Sequence, residues 1–354
     1  MREYVSSDGI KVRYPDAISF AFNPEFIIVD KPMSLGVTIS GRGKSFTDTR
    51  HEGLKDTRIN MSYYLQQLFD VINEPMSDNI GRSNTGIDVS VRLFAMSESI
   101  APYIVELSFS TFVIWGGIAP GETFNPSREI QWFKNMPFTF SMYSSAIYDI
   151  FARIDGGAST KIGNTTQGLS NYEVLQNANR EIVLSIGGQG EVVNVFDYTF
   201  DYTFRLSPSV NPVNTIKLVV NDCTDGVYLK WIDKHGFYQY YLFNQRGVNY
   251  TTSANGDAIN MNFDAFGRWH NGVSRQNKSE QQTINVYASF IEASTYFMIL
   301  SLLASPVVTM LVEFDDKQEW IPVKIVPQSR TMSGLSLQDI ELSVILPQSP
   351  IQTL

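Results

Sequence analysis

Three histidines, His51, His235 and His270, are the only imidazoles in the chain, and they lie far apart in sequence. None has the HExxH spacing that sets two imidazoles on one helix face to hold zinc. All three are read as structural. The single cysteine, Cys223, stands between Asp222 and Thr224. A flanking carboxylate raises a thiol pKa, the wrong direction for a nucleophile. Cys223 is therefore read as a small buried apolar residue. One cysteine also excludes a disulfide framework and any multi-cysteine metal site. The glycine cluster SIGGQGE at Ser185 to Glu191 lacks the GxGxxG order, and no Gly-Lys-Ser/Thr follows it. It reads as a hairpin turn rather than a phosphate loop. Gly41-Arg42-Gly43-Lys44 reads as a solvated turn. Asp222 and Asp225 could serve as a glycosidase pair, with Tyr228, Trp231, Tyr238, Tyr240 and Tyr241 stacking on a sugar. Aromatics on strands are more often core or cross-strand pairs. No catalytic set, cofactor site or metal site is expected.

These residues must be positioned by a folded, acidic chain of 354 residues. Lys and Arg number 27 and Asp and Glu 36, giving a net charge of −9. That balance argues against a protein whose main business is nucleic-acid phosphate. With 18% charged and 13% aromatic residues, the composition is that of a packed protein and not of disorder. The opening MREYVSSDGIKVRYPD has no apolar run of seven to fifteen residues, so no signal peptide is expected. The uncharged stretch Tyr296 to Val312 falls short of about 20 residues, and Ser305-Pro306 interrupts it. It reads as a buried helix followed by a buried strand, with no membrane span.

Alternation with a period of two predicts strands over 87–93, 198–206 and 340–344. Fuller apolar runs predict strands over 26–29, 216–220 and 283–288. Helices are expected at 61–72, with Ser62 as a cap, and at 293–304, with Ser294 as a cap. The Gly/Ser/Thr-rich stretch 155–168 reads as a loop or linker. The stretch LSPSVNPVN at 206–214 marks a division, giving domains 1–207 and 208–354. The expected fold is mainly β: two β-sandwich or barrel-like domains with one or two short helices.

The segment DCTDGVYLKWIDKHGFYQYYLF at 222–243 predicts a hairpin: strand VYLKWI, turn DKHG, strand FYQYYLF. Asp233 suits the start of that turn and Gly236 a positive-φ position in it. This segment resembles structural proteins of tailed bacteriophages and prophages of Bacteroides-type gut bacteria. MSYYLQQLF at 61–69, the Gly/Pro-punctuated aromatic block 115–138 and the closing strands after Trp320 resemble the same group. The resemblance implies a non-enzymatic virion protein, assembled in the host cytoplasm, most like a distal tail or baseplate-hub component. Such proteins form rings, often hexameric, and dock other tail proteins. A neck or connector protein, or a tail adhesin that binds a host surface glycan, is the alternative. A glycan site would expose Trp231, Tyr238 and Trp269. In a ring-former, Trp115, Trp132, Phe133, Trp231, Tyr238 and Tyr240 are the candidate interface residues. The turn-rich 121–128 would be a contact loop, and the tail 347–354 a docking arm or a frayed end.

Overall fold

In a computed structural model, the structure describes residues 1–51, 56–70, 80–96, 104–118, 129–144, 146–186, 198–200, 206–208, 215–254, 258–260, 273–275, 278–314, 317–329 and 336–347. The fold is mainly β, with several sheets and, among the described residues, two helices. Two compact units form: Met1–Asp222 together with Ile232–Tyr238, and Cys223–Trp231 together with Gln239–Leu354. The sequence places a division between residues 207 and 208. The units part after Asp222.

The first unit begins with β1 (Arg2–Val5), β2 (Lys11–Tyr14), β3 (Ile18–Phe20), β4 (Phe26–Val29), β5 (Ser34–Gly41), β6 (Lys44–Arg50) and β7 (Thr57–Asn60). Helix α1 (Ser62–Gln67), β8 (Ile80–Arg82), β9 (Gly86–Met96) and β10 (Ile104–Ile114) follow. It continues through β11 (Glu129–Phe133), β12 (Thr139–Ser144), β13 (Asp149–Ile154), β14 (Ser159–Asn164), β15 (Gly168–Glu173) and β16 (Glu181–Ile186). The last strands are β17 (Tyr198–Phe200), β18 (Leu206–Pro208) and β19 (Thr215–Asn221). Two five-stranded sheets dominate, ordered β3-β10-β9-β5-β6 and β11-β19-β16-β13-β14.

Strand β9 shows why these residues make sheet. Ile87, Val89, Val91, Leu93 and Ala95 are buried, while Asp88, Ser90, Arg92, Phe94 and Met96 face out. Burying each large inward residue is worth about 1.5–3 kcal/mol, so a one-residue slip of register would forfeit the whole set. The β5–β6 turn is Arg42-Gly43, both at positive φ, as a two-residue hairpin requires. The stretch 155–168, expected as a loop, instead carries β14. Its residues are exposed or half-buried and pair with β13 by backbone and by polar side chains, Lys161 Nζ and Asn164 Nδ2 reaching Asp149 Oδ1 at 2.8 and 2.6 Å, so no hydrophobic alternation announces them. The core cluster of the unit gathers Phe20, Phe112, Ile114, Tyr143, Leu169 and Phe237. Phe112 fits only because Gly168 has no side chain: a Cβ there would lie 2.7 Å from its ring.

In the second unit, β20 (Val227–Ile232), β21 (Tyr238–Ala254), β22 (Ala258–Asn260), β23 (Val273–Arg275) and β24 (Lys278–Glu292) precede helix α2 (Ala293–Ala304). Then come β25 (Val308–Phe314), β26 (Lys317–Ile325) and β27 (Leu337–Ile345). Six of these strands close a barrel in the order β20-β21-β24-β27-β26-β25. Ile284, Val286 and Ala288 of β24 and Ile340, Leu342 and Val344 of β27 are buried at alternate positions. Because β24 and β25 stand on opposite sides of this ring, the chain between them must cross it. Helix α2 makes the crossing, burying Tyr296, Ile299 and Leu302 on one stripe. Its end at Ser305, in extended geometry, is what the following Pro306 demands. Neither helix has a side-chain N-cap. The cap residues are Met61 and Glu292, not Ser62 and Ser294. Ser62 is occupied elsewhere, its Oγ accepting the Glu25 N–H at 3.2 Å and donating to Asn23.

Candidate interaction surface

Five of the six aromatic interface candidates lie inside their own units. Trp132 and Phe133 are buried on β11. Trp231 is 1% exposed, and its Nε1–H donates to Ser301 Oγ of α2 at 2.9 Å. Tyr240 is buried beside Tyr228 and Trp320, at ring-centroid distances of 5.9 and 6.1 Å. Tyr238 is buried, its hydroxyl donating to Asn84 Oδ1 at 2.8 Å. Trp115 is half-buried between Phe22 and Phe69. In this conformation Trp231 and Tyr238 have no ring face to offer a sugar. Trp269, His270, the 187–191 part of the glycine cluster, the loop 121–128 and the tail beyond 347 lie outside the described residues.

The turn between β20 and β21 forms as the sequence predicts. Asp233 Oδ1 accepts the N–H groups of His235 at 2.8 Å and Phe237 at 3.0 Å, and Gly236 sits at φ 78°. Thr85 Oγ1 donates to the Gly236 carbonyl at 2.7 Å, and the Gly117 N–H donates to the Lys234 carbonyl. His235 is buried against Asp233 in this turn, while His51 is exposed. Cys223 is exposed, not buried: it lies in the surface connection from β19 to β20, where no core is at hand. Asp222 is exposed and pairs loosely with Lys134 at 3.9 Å. Among the described residues no group of three metal-capable side chains gathers. No described helix is long and apolar enough to cross a membrane.

Burial accounts for the two titrating groups displaced furthest toward neutral pH. It pushes the Glu25 carboxyl up to about 7, against the Phe20 N–H that the carboxyl accepts and with help from the charge of Asp16. It also holds the Lys230 ammonium down at about 8, over the Trp320 ring at 4.2 Å.

What the second unit does expose is unusual in kind. Phe290 has φ 57°, a left-handed conformation that a bulky side chain adopts rarely and at a cost of about 1–2 kcal/mol. It is also 77% exposed. The cause is a β-bulge: Ala288 pairs with Ile340 and Ile291 with Gln338, so Ser289 and Phe290 together face Asp339 alone. Asp339 Oδ1 accepts the Phe290 N–H at 2.8 Å and holds the bulge. The extra residue lets Ile291 point inward and turns Phe290 out. Leu337, opposite Glu292, is 45% exposed, and Phe297 of α2 is 57% exposed, so this end of the barrel carries three large apolar side chains. The sequence signal was the adjacent pair Phe290-Ile291, which breaks the alternation Ile284, Val286, Ala288.

The other exposed feature is the ribbon of β21 and β24. They pair from Asn244↔Tyr287 out to Ala254↔Lys278, but β27 pairs with β24 only as far as Thr283, with one further bond from the Leu346 N–H to the Gln282 carbonyl at 3.0 Å. Beyond that point the ribbon has two strands. Asn249 through Ser253 are all exposed, so both faces are in water, and Tyr250 is 64% exposed. A bulge at Arg246 marks its base, and Arg246 reaches Glu341 Oε2 at 3.0 Å.

No family model matches this chain, and no curated protein matches it. Among solved structures it is similar to the periplasmic chaperone SfaE, at 12% identity and TM-score 0.20, over 59% of this chain and 100% of that one. It is also similar to a bacterial ice-binding adhesin of 1.5 MDa, at 10% identity and TM-score 0.17, over 94% of this chain and 83% of that one. A Ca2+-stabilised ice-binding adhesin of an Antarctic bacterium matches at 10% identity and TM-score 0.15, over 97% and 72%. Scores this low carry no argument about fold or role.

Proposed function

We propose that this chain is a non-enzymatic structural protein that acts by contact with other protein chains, as a tail component of a tailed bacteriophage that closes into a ring. The observation that supports the contact role is Phe290. For the isolated chain a bulky residue in left-handed geometry, with its ring in water, is unfavourable twice over. Strain of this kind persists only where the surrounding structure fixes it, and it clusters at functional sites. A projecting aromatic with Leu337 and Phe297 at the same end of the barrel suits insertion into an apolar pocket of a neighbour, where aromatic anchors supply most of the binding energy. The tail assignment rests on the resemblance of segments 61–69, 115–138, 222–243 and the closing strands to phage structural proteins. Its setting would be the virion, assembled in the host cytoplasm.

The substitution Phe290→Gly tests the contact role. Glycine accepts positive φ without strain, though it adds chain entropy to the unfolded state, so a net stabilisation of about 0.5–1 kcal/mol is expected. Association should weaken at least tenfold in the same variant. A lower melting midpoint with association unchanged would show Phe290 to be a structural residue and remove the proposal's support.

A further inference from the structure

We infer that the β21 strand of the two-stranded ribbon is an association edge, and that its partner is the same edge of a second copy of this chain, paired antiparallel across a twofold axis. This rests on the self-assembling role proposed above and names one of the contacts that would serve it. Three observations point to it. The ribbon runs past the last residue of β24 that pairs with β27, and among the described residues no third strand borders it. Two strands with both faces in water bury too little to hold their shape, whereas added strands supply cross-strand pairs. Next, the β21 edge reads Asn249-Tyr250-Thr251-Thr252-Ser253. It holds no charge and no proline, and it is rich in residues that favour strands. Edges meant to stay single are blunted with lysine, proline, inward charge or a bulge, and residues 249–253 carry none of these, the bulge at Arg246 lying before them. The β24 edge of the same ribbon carries Glu280.

The third observation concerns the choice of partner. An antiparallel pair of identical strands sets each residue against its own counterpart or a near neighbour of it. A charged edge would oppose like charges across such an axis, and 249–253 opposes none in any register. Two ribbons joined in this way make four strands, with Tyr250 of each copy able to cross onto its neighbour. The Arg246 bulge sits where β21 leaves the barrel and turns the ribbon before the edge begins.

The test uses the full chain and two double variants, Thr251→Lys with Thr252→Lys, and Thr251→Glu with Thr252→Glu. Both positions are exposed, so both variants should fold, as checked by far-UV circular dichroism and a melting midpoint near that of the wild type. Mass photometry then reads assembly across a concentration series. The wild type should form a dimer or an even-numbered assembly. Each charged variant alone should drop to half the wild-type mass, with the dissociation constant raised at least tenfold. An equal mixture of the two should regain the wild-type mass, because lysine then faces glutamate. Charged variants that keep the wild-type mass would overturn the edge pairing and leave the self-assembling role standing. So would a wild-type assembly with an odd number of copies, or a mixture that fails to recover. A wild type that stays monomeric throughout would overturn both.

Discussion

Glu25 couples proton binding to folding. Its carboxyl titrates near 7 in the folded chain, against 4.5 ordinarily. The folded state therefore holds a proton that the unfolded state releases between those values. Stability is greatest below the ordinary value and is lost as pH rises toward 7. The loss should be about 1–3 kcal/mol, one pKa unit being worth about 1.4. Glu25→Gln keeps an acceptor for the Phe20 N–H and removes the charge. Denaturant titrations at pH 5 and pH 8 should show the wild type losing stability that the variant retains. An equal pH dependence in both would place the titrating group elsewhere. Some single residues were legible in advance: Asp233 and Gly236 take the turn positions their chemistry suggests. Phe290 was not, because its exposure depends on which residues of β27 it faces, and one sequence does not reveal that register. Cys223 was misjudged because the carboxylate beside it in sequence, Asp222, marks a surface loop as much as an unreactive thiol.

Legibility among the elements followed burial. The strands β9 and β27 and the helix α2 were visible because their inward positions are large and apolar. The strand β14 was not, since an edge strand whose residues are all exposed or half-buried leaves no hydrophobic pattern in side chains. The ribbon of β21 and β24 escaped for the same reason. The choice between a sandwich and a closed barrel was also beyond the sequence, because it depends on pairings between strands far apart in the chain. Helix α2 crosses that barrel, and the bond from Trp231 Nε1–H to Ser301 Oγ ties it to β20. Trp231→Phe keeps an aromatic ring but loses the bond and part of the buried area, so it should cost about 1–3 kcal/mol. Ser301→Ala should cost a similar amount, about 1–3 kcal/mol, since it leaves the buried indole N–H without its acceptor. Thermal melts of the two variants would check this. A Trp231→Phe protein as stable as the wild type would mean that α2 is held by its apolar stripe alone.

At the scale of the whole molecule, the aromatic residues have divided by role. Most of those marked as interface candidates fill the interiors of the two units. In the second unit the exposed apolar side chains Phe290, Leu337 and Phe297 lie at one end of the barrel, and the charge-free edge lies on the ribbon. Both suit an assembling protein. The most direct measurement is the mass of the purified full chain by mass photometry or light scattering, over a concentration series. The account predicts a discrete closed oligomer with an even number of copies, such as a hexameric ring. A strict monomer at every concentration would contradict it.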